Sequence, residues 1–167
     1  MQILSHRHSA IIVEDLDRMV SFYSAFGFKE TRRDMETGSF ISHMIGVKGA
    51  HLECSKIALQ NGYTLELIRY IYPAPVRRDP VLENEKRYKL GIDHLGFTVD
   101  DIEEAVNFIV KNGGKMVSSP QLTNPGLPSI HAYVEDPEGN LIHLAQNVNQ
   151  TKQPVDLEGG LKNLLSL

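Results

Sequence analysis

The chain has 167 residues, 41% of them hydrophobic, and this length suits one compact domain or two small halves that share a core. Its net charge of −4 and pI near 6.0 give no general attraction for nucleic acid or an anionic membrane, so we expect neither as a partner. No apolar stretch approaches the roughly 20 residues of a membrane helix. The single cysteine, Cys54, cannot form an intrachain disulfide, and no signal-peptide pattern opens the sequence, which favours a cytoplasmic protein.

The first predicted elements are a strand and a helix. Residues 8–13, HSAIIV, are short, apolar and partly β-branched, which is typical of a strand. Asp15 can cap a helix that begins directly after it, and Gly27 ends that helix. Its apolar face repeats at helical spacing and consists of Leu16, Met19, Val20, Tyr23 and Phe26.

A predicted hairpin comes next along the chain. The segments GAHLECSKIAL and YTLELIRY flank Gln60-Asn61-Gly62, and Asn-Gly is a strong signal for a two-residue hairpin turn. Residues 73–91 follow and mix basic with acidic side chains, so we expect a solvated linker. Its basic residues are Arg77, Arg78, Lys86, Arg87 and Lys89.

The second half of the chain repeats the first. Residues 94–114 align with residues 8–28 without a gap, and Asp101 and Gly113 fall where a second helix should begin and end. An internal duplication is therefore the leading interpretation. The second apolar face consists of Ile102, Ala105, Val106, Ile109 and Val110. The identical pairs are His8/His94, Val13/Val99, Asp15/Asp101, Val20/Val106, Phe22/Phe108 and Gly27/Gly113.

A second hairpin completes the repeat. The segments SIHAYVE and NLIHLAQ flank a tight turn at Asp136-Pro137-Glu138-Gly139. We therefore predict an α+β fold of two βαβββ modules that form a cupped mixed sheet. The first module spans residues 1–72, the linker 73–91, the second module 92–147 and a C-terminal tail 148–167. The tail is either a disordered end or a short docking helix, and its leucines favour association.

Two ionisable residues occupy matching places in the two hairpins. Glu66 follows Gly62 by the same spacing as His143 follows Gly139. Both residues lie between aliphatic neighbours in a strand, so their side chains should point to the opposite face. That face then needs a polar function.

Each module thus offers a histidine on its opening strand and a Glu or His on its closing strand. If the modules pack symmetrically, His8, Glu66, His94 and His143 converge. Burying such groups without partners is costly, so they form either a hydrogen-bonded network or a metal site. We favour the metal, because a cation lets all four keep their ligand protonation states.

Three segments, HSAIIVEDLDRMVSFYSAFGF, HLGFTVDDIEEAV and VEDPEGNLIHLAQ, resemble the vicinal-oxygen-chelate superfamily. This superfamily includes glyoxalase I, methylmalonyl-CoA epimerase, fosfomycin-resistance proteins and extradiol dioxygenases, and the resemblance covers residues 5–147. It implies paired modules around one divalent metal, which is Ni, Zn, Fe, Mn or Co, with ligands at His8, Glu66, His94 and His143. It also implies a small-molecule substrate and a homodimer.

One position departs from the family pattern. The closing strand of the second module usually offers a carboxylate, in a motif such as DPEGNLIEL, where this chain has His143. Three neutral imidazoles and one carboxylate leave the metal with more net positive charge than a ligand set with two carboxylates would. This charge should favour binding of an anionic enediolate or catecholate. Glu66 then serves as both ligand and catalytic base.

The resemblance leaves three functions to weigh. The leading one is a metal-dependent lyase or isomerase of the glyoxalase type that acts on vicinal oxygens. The first alternative is an extradiol-type non-haem iron dioxygenase, although such enzymes have a His, His, Glu order and here the Glu lies in the first module. The second is a non-catalytic small-molecule binding protein. His51 and His131 are more typical of hydrogen-bonded core residues than of ligands, and Tyr133 is assigned no role.

Overall fold

The computed structural model describes residues 1–76, 91–122 and 129–147. The chain divides into two compact units, Met1–Lys89 and Leu90–Leu167, and each contains one of the predicted modules. Most of the predicted linker and the whole predicted tail lie outside the described residues, so the module boundaries stay predictions.

The first module is a four-stranded mixed sheet with two helices. The strands lie in the order β1-β4-β3-β2; β1 runs parallel to β4, and the other pairs are antiparallel. The parallel pair forms because the crossover between them includes helix α1. The elements are β1 (Ser9–Ile12), α1 (Leu16–Ala25), β2 (Lys29–Thr37), α2 (Ser39–Ile45), β3 (His51–Ala58) and β4 (Thr64–Tyr72).

The second module repeats this plan with shorter middle strands. The order is β5-β9-β8-β6, with β7 also paired to β8, and β5 runs parallel to β9. The predicted α+β fold of two βαβββ modules is confirmed, with one mixed sheet in each module. The elements are β5 (Leu95–Thr98), α3 (Ile102–Lys111), β6 (Lys115–Met116), β7 (Gln121–Leu122), β8 (Ser129–Glu135) and β9 (Leu141–Asn147).

The predicted helix starts are confirmed. The Asp15 carboxylate accepts a hydrogen bond from the Arg18 backbone N–H at 3.0 Å, and Asp101 accepts one from the Glu104 N–H at 2.9 Å. These caps satisfy N–H groups that the first helical turn leaves without partners. The offset that aligns the sequence repeats also aligns α1 with α3 and β1 with β5, residue for residue.

The predicted helix ends are confirmed, and the predicted apolar faces are confirmed with two exceptions. Phe26 lies just after α1, at its C-cap, and is half-buried. Gly27 and Gly113 follow the two helices with φ of 109° and 91°, a conformation that favours glycine. Val110 was expected on the buried face of α3 and is 48% exposed, whereas Ile109 is fully buried. One residue along a helix rotates a side chain by about 100°, which carries Val110 off the buried face.

Helix α2 was not predicted from the sequence. It has seven residues between two glycines of positive φ, Gly38 and Gly46, and only Ile41 is buried. Such a short element shows almost no periodicity. Ile41 packs in a small apolar cluster with Ala50, Leu52 and Cys54.

Candidate metal site

Strand register places the two closing-strand residues at equivalent points. In the first module Ala10 lies opposite Glu66, and in the second Gly96 lies opposite His143. Both partners stand two residues after the opening histidine of their module, on the same face of the strand. The equivalence of Glu66 and His143 inferred from the hairpin spacing is therefore seen in each sheet.

The alternation of these strands explains why Glu66 faces away from helix α1 and His143 faces away from helix α3. Their neighbours on β4 and β9 fill the core, so Glu66 and His143 point to the other face of each sheet. Both are partly buried. The fully buried neighbours are Leu65, Leu67, Ile142 and Leu144.

In the first module, Glu66 contacts two side chains through its two oxygens. Its Oε2 lies 3.2 Å from His8 Nε2, and its Oε1 lies 3.3 Å from Lys56 Nζ. Lys56 stands directly opposite Glu66 in the β3–β4 register. The Glu66 side chain is 13% exposed and those of His8 and Lys56 are 28% and 30% exposed, so the group is only partly buried.

The spacing of this pair is compatible with a shared cation. Nitrogen and oxygen ligands lie about 2.0–2.2 Å from a zinc ion, so two ligand atoms at ordinary coordination angles are roughly 3.0–3.5 Å apart. The 3.2 Å between His8 Nε2 and Glu66 Oε2 falls in this range. Imidazole plus carboxylate is also a donor set that zinc, iron, nickel and manganese accept.

In the second module, His94 and His143 lie side by side. Their ring centroids are 5.3 Å apart and the rings are nearly perpendicular, at 79°. His94 Nδ1 is 2.7 Å from Asp93 Oδ2. A carboxylate on one ring nitrogen orients a histidine whose other nitrogen binds a metal, so this contact fits His94 as a ligand through Nε2.

His143 is held by neighbours on β8. Its Nε2 is 2.7 Å from His131 Nδ1, and His131 Nε2 is 2.7 Å from Ser129 Oγ. The His143 ring stacks on His131, with centroids 4.9 Å apart, and on Tyr133, with centroids 4.8 Å apart. Burial lowers the pKa of His143, and the nearby imidazoles of His131 and His94 lower it further, so the neutral, ligand form is favoured.

Four neighbours of the candidate ligands were not predicted as part of the site. Lys56, Asp93, His131 and Tyr133 all contact one of them. The sequence did carry a signal for two of these neighbours, Lys56 and Tyr133. Residues equidistant from a hairpin turn pair across it, which places Lys56 opposite Glu66 and Tyr133 opposite the histidine of the second hairpin.

The four-residue metal site itself stays a prediction. Among residues 1–76, 91–122 and 129–147, no group of three or more His, Cys, Asp or Glu side chains is placed to hold a metal ion. The observed contacts are the pairs within each module. Also within these ranges, no helix is long and apolar enough to cross a membrane.

The chain is therefore an α+β protein of two repeated modules. Each module carries a histidine at its opening strand and an ionisable residue on its closing strand, and these are candidate metal ligands. The profile of the Glyoxalase/Bleomycin resistance protein/Dioxygenase superfamily matches residues 6–144. The chain belongs to this superfamily, as its resemblance to the vicinal-oxygen-chelate proteins predicted.

Solved structures show the same fold. A glyoxalase family protein from Bacillus cereus is 26% identical, with a TM-score of 0.77 over 89% of this chain and 97% of that one. Glyoxalase I from Zea mays is 22% identical, with a TM-score of 0.59 over 88% of this chain and 45% of that one, a likeness in fold alone.

Among curated proteins, a probable chloroplastic lactoylglutathione lyase of Arabidopsis thaliana is 25% identical over 150 residues. The match covers 89% of this chain but spans only 37% of that relative's length.

Proposed function

We propose that this protein is a metal-dependent lyase or isomerase of the glyoxalase type that acts on a small substrate with vicinal oxygens. The observation that carries the proposal is the contact between His8 and Glu66, at 3.2 Å on the face of the sheet opposite helix α1. It supplies an imidazole and a carboxylate at ligand spacing in the first module of a chain from the glyoxalase superfamily.

The proposed ligands are His8, Glu66, His94 and His143, around one divalent ion that is Ni, Zn, Fe, Mn or Co. When bound, such an ion polarises the substrate oxygens as a Lewis acid. The equivalent register positions of Glu66 and His143 support their common role. The Asp93–His94 contact supports His94 as an oriented ligand.

Glu66 is the proposed catalytic base. Its Oε2 lies at His8, so we assign proton transfer to Oε1, which faces Lys56. Lys56 can donate hydrogen bonds to an oxygen that becomes negative as the substrate loses its proton. With one carboxylate among three imidazoles and a lysine, the site favours an anionic enediolate.

The alternative function is an extradiol-type dioxygenase, because two histidines and one carboxylate suit non-haem iron. The position of Glu66 in the first module argues against it. A non-catalytic binding role is weakened by the presence of all four ligand-type residues.

We also propose that the protein works in the cytoplasm as a homodimer. The superfamily resemblance supports the dimer. Burial raises the pKa of the Cys54 thiol to about 12, so that it stays in the unreactive thiol form.

The first experiment is elemental analysis of protein purified without chelator and without nickel affinity resin. We expect about one divalent ion per chain. His8→Ala and His143→Ala should both lose it, because each removes a ligand. His51→Ala, a histidine on β3 without an assigned role, is the control. His143→Glu should keep the metal and change the pH dependence of its binding.

The reaction is tested with a panel of hemithioacetals of methylglyoxal, acyl-CoA thioesters and catechols. We expect isomerisation or proton exchange at the carbon beside the carbonyl in the first or second group. Oxygen consumption with catechols, together with no proton exchange in the other substrates, would replace this proposal with the dioxygenase.

A further inference from the structure

Three side chains of the second module form a continuous hydrogen-bonded line. Ser129 and His131 are two residues apart on β8, so their side chains lie on the same face of the strand. Ser129 Oγ is 2.7 Å from His131 Nε2, and His131 Nδ1 is 2.7 Å from His143 Nε2. The residue directly opposite His131 on β9 is Ala145. Because Ala145 carries only a methyl group, the His131 ring has room to lean diagonally and stack on His143, with the planes 8° from parallel.

The line permits only two proton arrangements when both imidazoles are neutral. A neutral imidazole has one N–H donor and one acceptor nitrogen. In the first arrangement, His143 Nε2–H donates to His131 Nδ1, and His131 Nε2–H donates to Ser129 Oγ. In the second, Ser129 O–H donates to His131 Nε2, and His131 Nδ1–H donates to His143 Nε2.

The two arrangements differ at the other nitrogen of His143. The first leaves Nδ1 with a free lone pair, and the second leaves Nδ1 protonated. Nδ1 has no hydrogen-bond partner among the residues that the structure describes. Only the first arrangement therefore leaves a nitrogen able to coordinate a cation while the bond to His131 is kept.

We propose that Ser129 and His131 are positioning residues that fix His143 as the Nε2–H tautomer and present its Nδ1 to the divalent cation. The inference rests on the proposed function, since it assumes that His143 is a ligand. His94 has the complementary arrangement, because Asp93 contacts Nδ1 of that ring and leaves Nε2 to coordinate the cation. Each ligand histidine of this module then has one nitrogen held by a neighbour and one free.

The rival assignment makes the opposite prediction. If the cation takes His143 Nε2, the bond to His131 must break, and His131 competes with the metal. Removing the nitrogens of His131 would then strengthen metal binding. If His131 positions the ring, removing them weakens it.

The test compares wild type, His131→Phe and Ser129→Ala, with Zn²⁺ and Ni²⁺ as the only added probes. Phenylalanine keeps a flat ring to stack on His143 and removes both nitrogens. His51→Phe is the matched control, because it makes the same change in a half-buried histidine on a strand of the first module. Affinity is measured by competition with a chromophoric chelator.

We expect His131→Phe to bind Zn²⁺ roughly 10–100-fold more weakly, and Ser129→Ala to show a smaller loss in the same direction. In wild-type protein labelled with ¹⁵N at histidine, proton–nitrogen correlations should show His143 with its proton on Nε2, both before and after Zn²⁺ is added. This readout needs no variant and is insensitive to a loss of folding in His131→Phe.

Unchanged or tighter binding by a folded His131→Phe overturns the inference, as does a Zn²⁺ complex in which His143 coordinates through Nε2. Either result leaves the proposed function intact. Wild-type protein that binds neither Zn²⁺ nor Ni²⁺ overturns this inference, and protein that in addition retains none of Ni, Zn, Fe, Mn and Co in the elemental analysis defeats the proposed function as well.

Discussion

The substitution Glu66→Gln separates the chemical role of this residue from its structural one. The amide oxygen of glutamine can still accept hydrogen bonds and coordinate a cation, but it cannot take a proton as a carboxylate does. We expect metal content to remain close to that of wild type. Turnover should fall by about 10²–10⁴, the usual contribution of a positioned general base.

The structural cost of the same change is small. Glu66 loses its charge opposite Lys56, a contact of 3.3 Å whose lysine side chain is 30% exposed. Partly exposed ion pairs are worth about 0.2–1 kcal/mol. The expected loss of turnover corresponds to about 2.7–5.4 kcal/mol of transition-state stabilisation, at 1.36 kcal/mol per tenfold. The effect on chemistry should therefore exceed the effect on stability.

The assay measures kcat on the active member of the substrate panel, and thermal unfolding reports stability. Glu53→Gln is the matched control, since that carboxylate is 20% exposed and pairs with Arg33 at 3.4 Å and with Arg69 at 3.6 Å on the same sheet. It should lose a comparable amount of stability and no turnover. A Glu66→Gln enzyme within tenfold of wild-type kcat refutes the assignment of Glu66 as the base.

Two further predictions concern stability. A Cβ on Gly114 would lie under 3 Å from the backbone carbonyl oxygen of Glu135, so Gly114→Ala should destabilise by roughly 1–3 kcal/mol; Gly96→Ala meets nothing within 4 Å and should be neutral or slightly stabilising in the same denaturant titration. Hydrogen bonding, chiefly from Arg33, lowers the pKa of Glu30 below its ordinary 4.5, so its contribution is present above that pH and is lost as pH falls through the folded pKa. Glu30→Gln should therefore have a lower free energy of unfolding at neutral pH, and that free energy should fall less steeply than in wild type as the pH is lowered. An unchanged steepness at acid pH would contradict this.

The elements that sequence alone predicted are those defined by local patterns. A helix such as α3 needs a cap at Asp101, a periodic apolar face and a glycine stop, and all three lie within residues 101–113. The duplication adds a second, independent reading of the same pattern. The spacing from Gly62 to Glu66 and from Gly139 to His143 is also a local pattern. It predicts equivalent positions correctly because a tight turn fixes the register of the strands that follow it.

The partners of the ligand candidates were harder to predict because they arise across strands. His131 reaches His143 diagonally, and this depends on the small side chain of Ala145 as much as on the histidines. Nothing near His131 in the chain signals that contact. Lys56 illustrates the intermediate case, since counting back from the Asn-Gly turn would have placed it opposite Glu66.

The cross-strand partners also give a physical reason for the departure at position 143. In the first module the closing-strand residue is a carboxylate, and the residue opposite it, Lys56, supplies a positive charge. In the second module the residue opposite is Tyr133, which carries no charge and stacks on its partner with the rings 20° from parallel. Before a metal binds, a carboxylate at 143 would face an aromatic ring and the imidazole of His131, and the residue opposite would supply no positive charge to offset its desolvation. A neutral imidazole suits that environment, so the residue opposite each closing-strand candidate is matched to its charge.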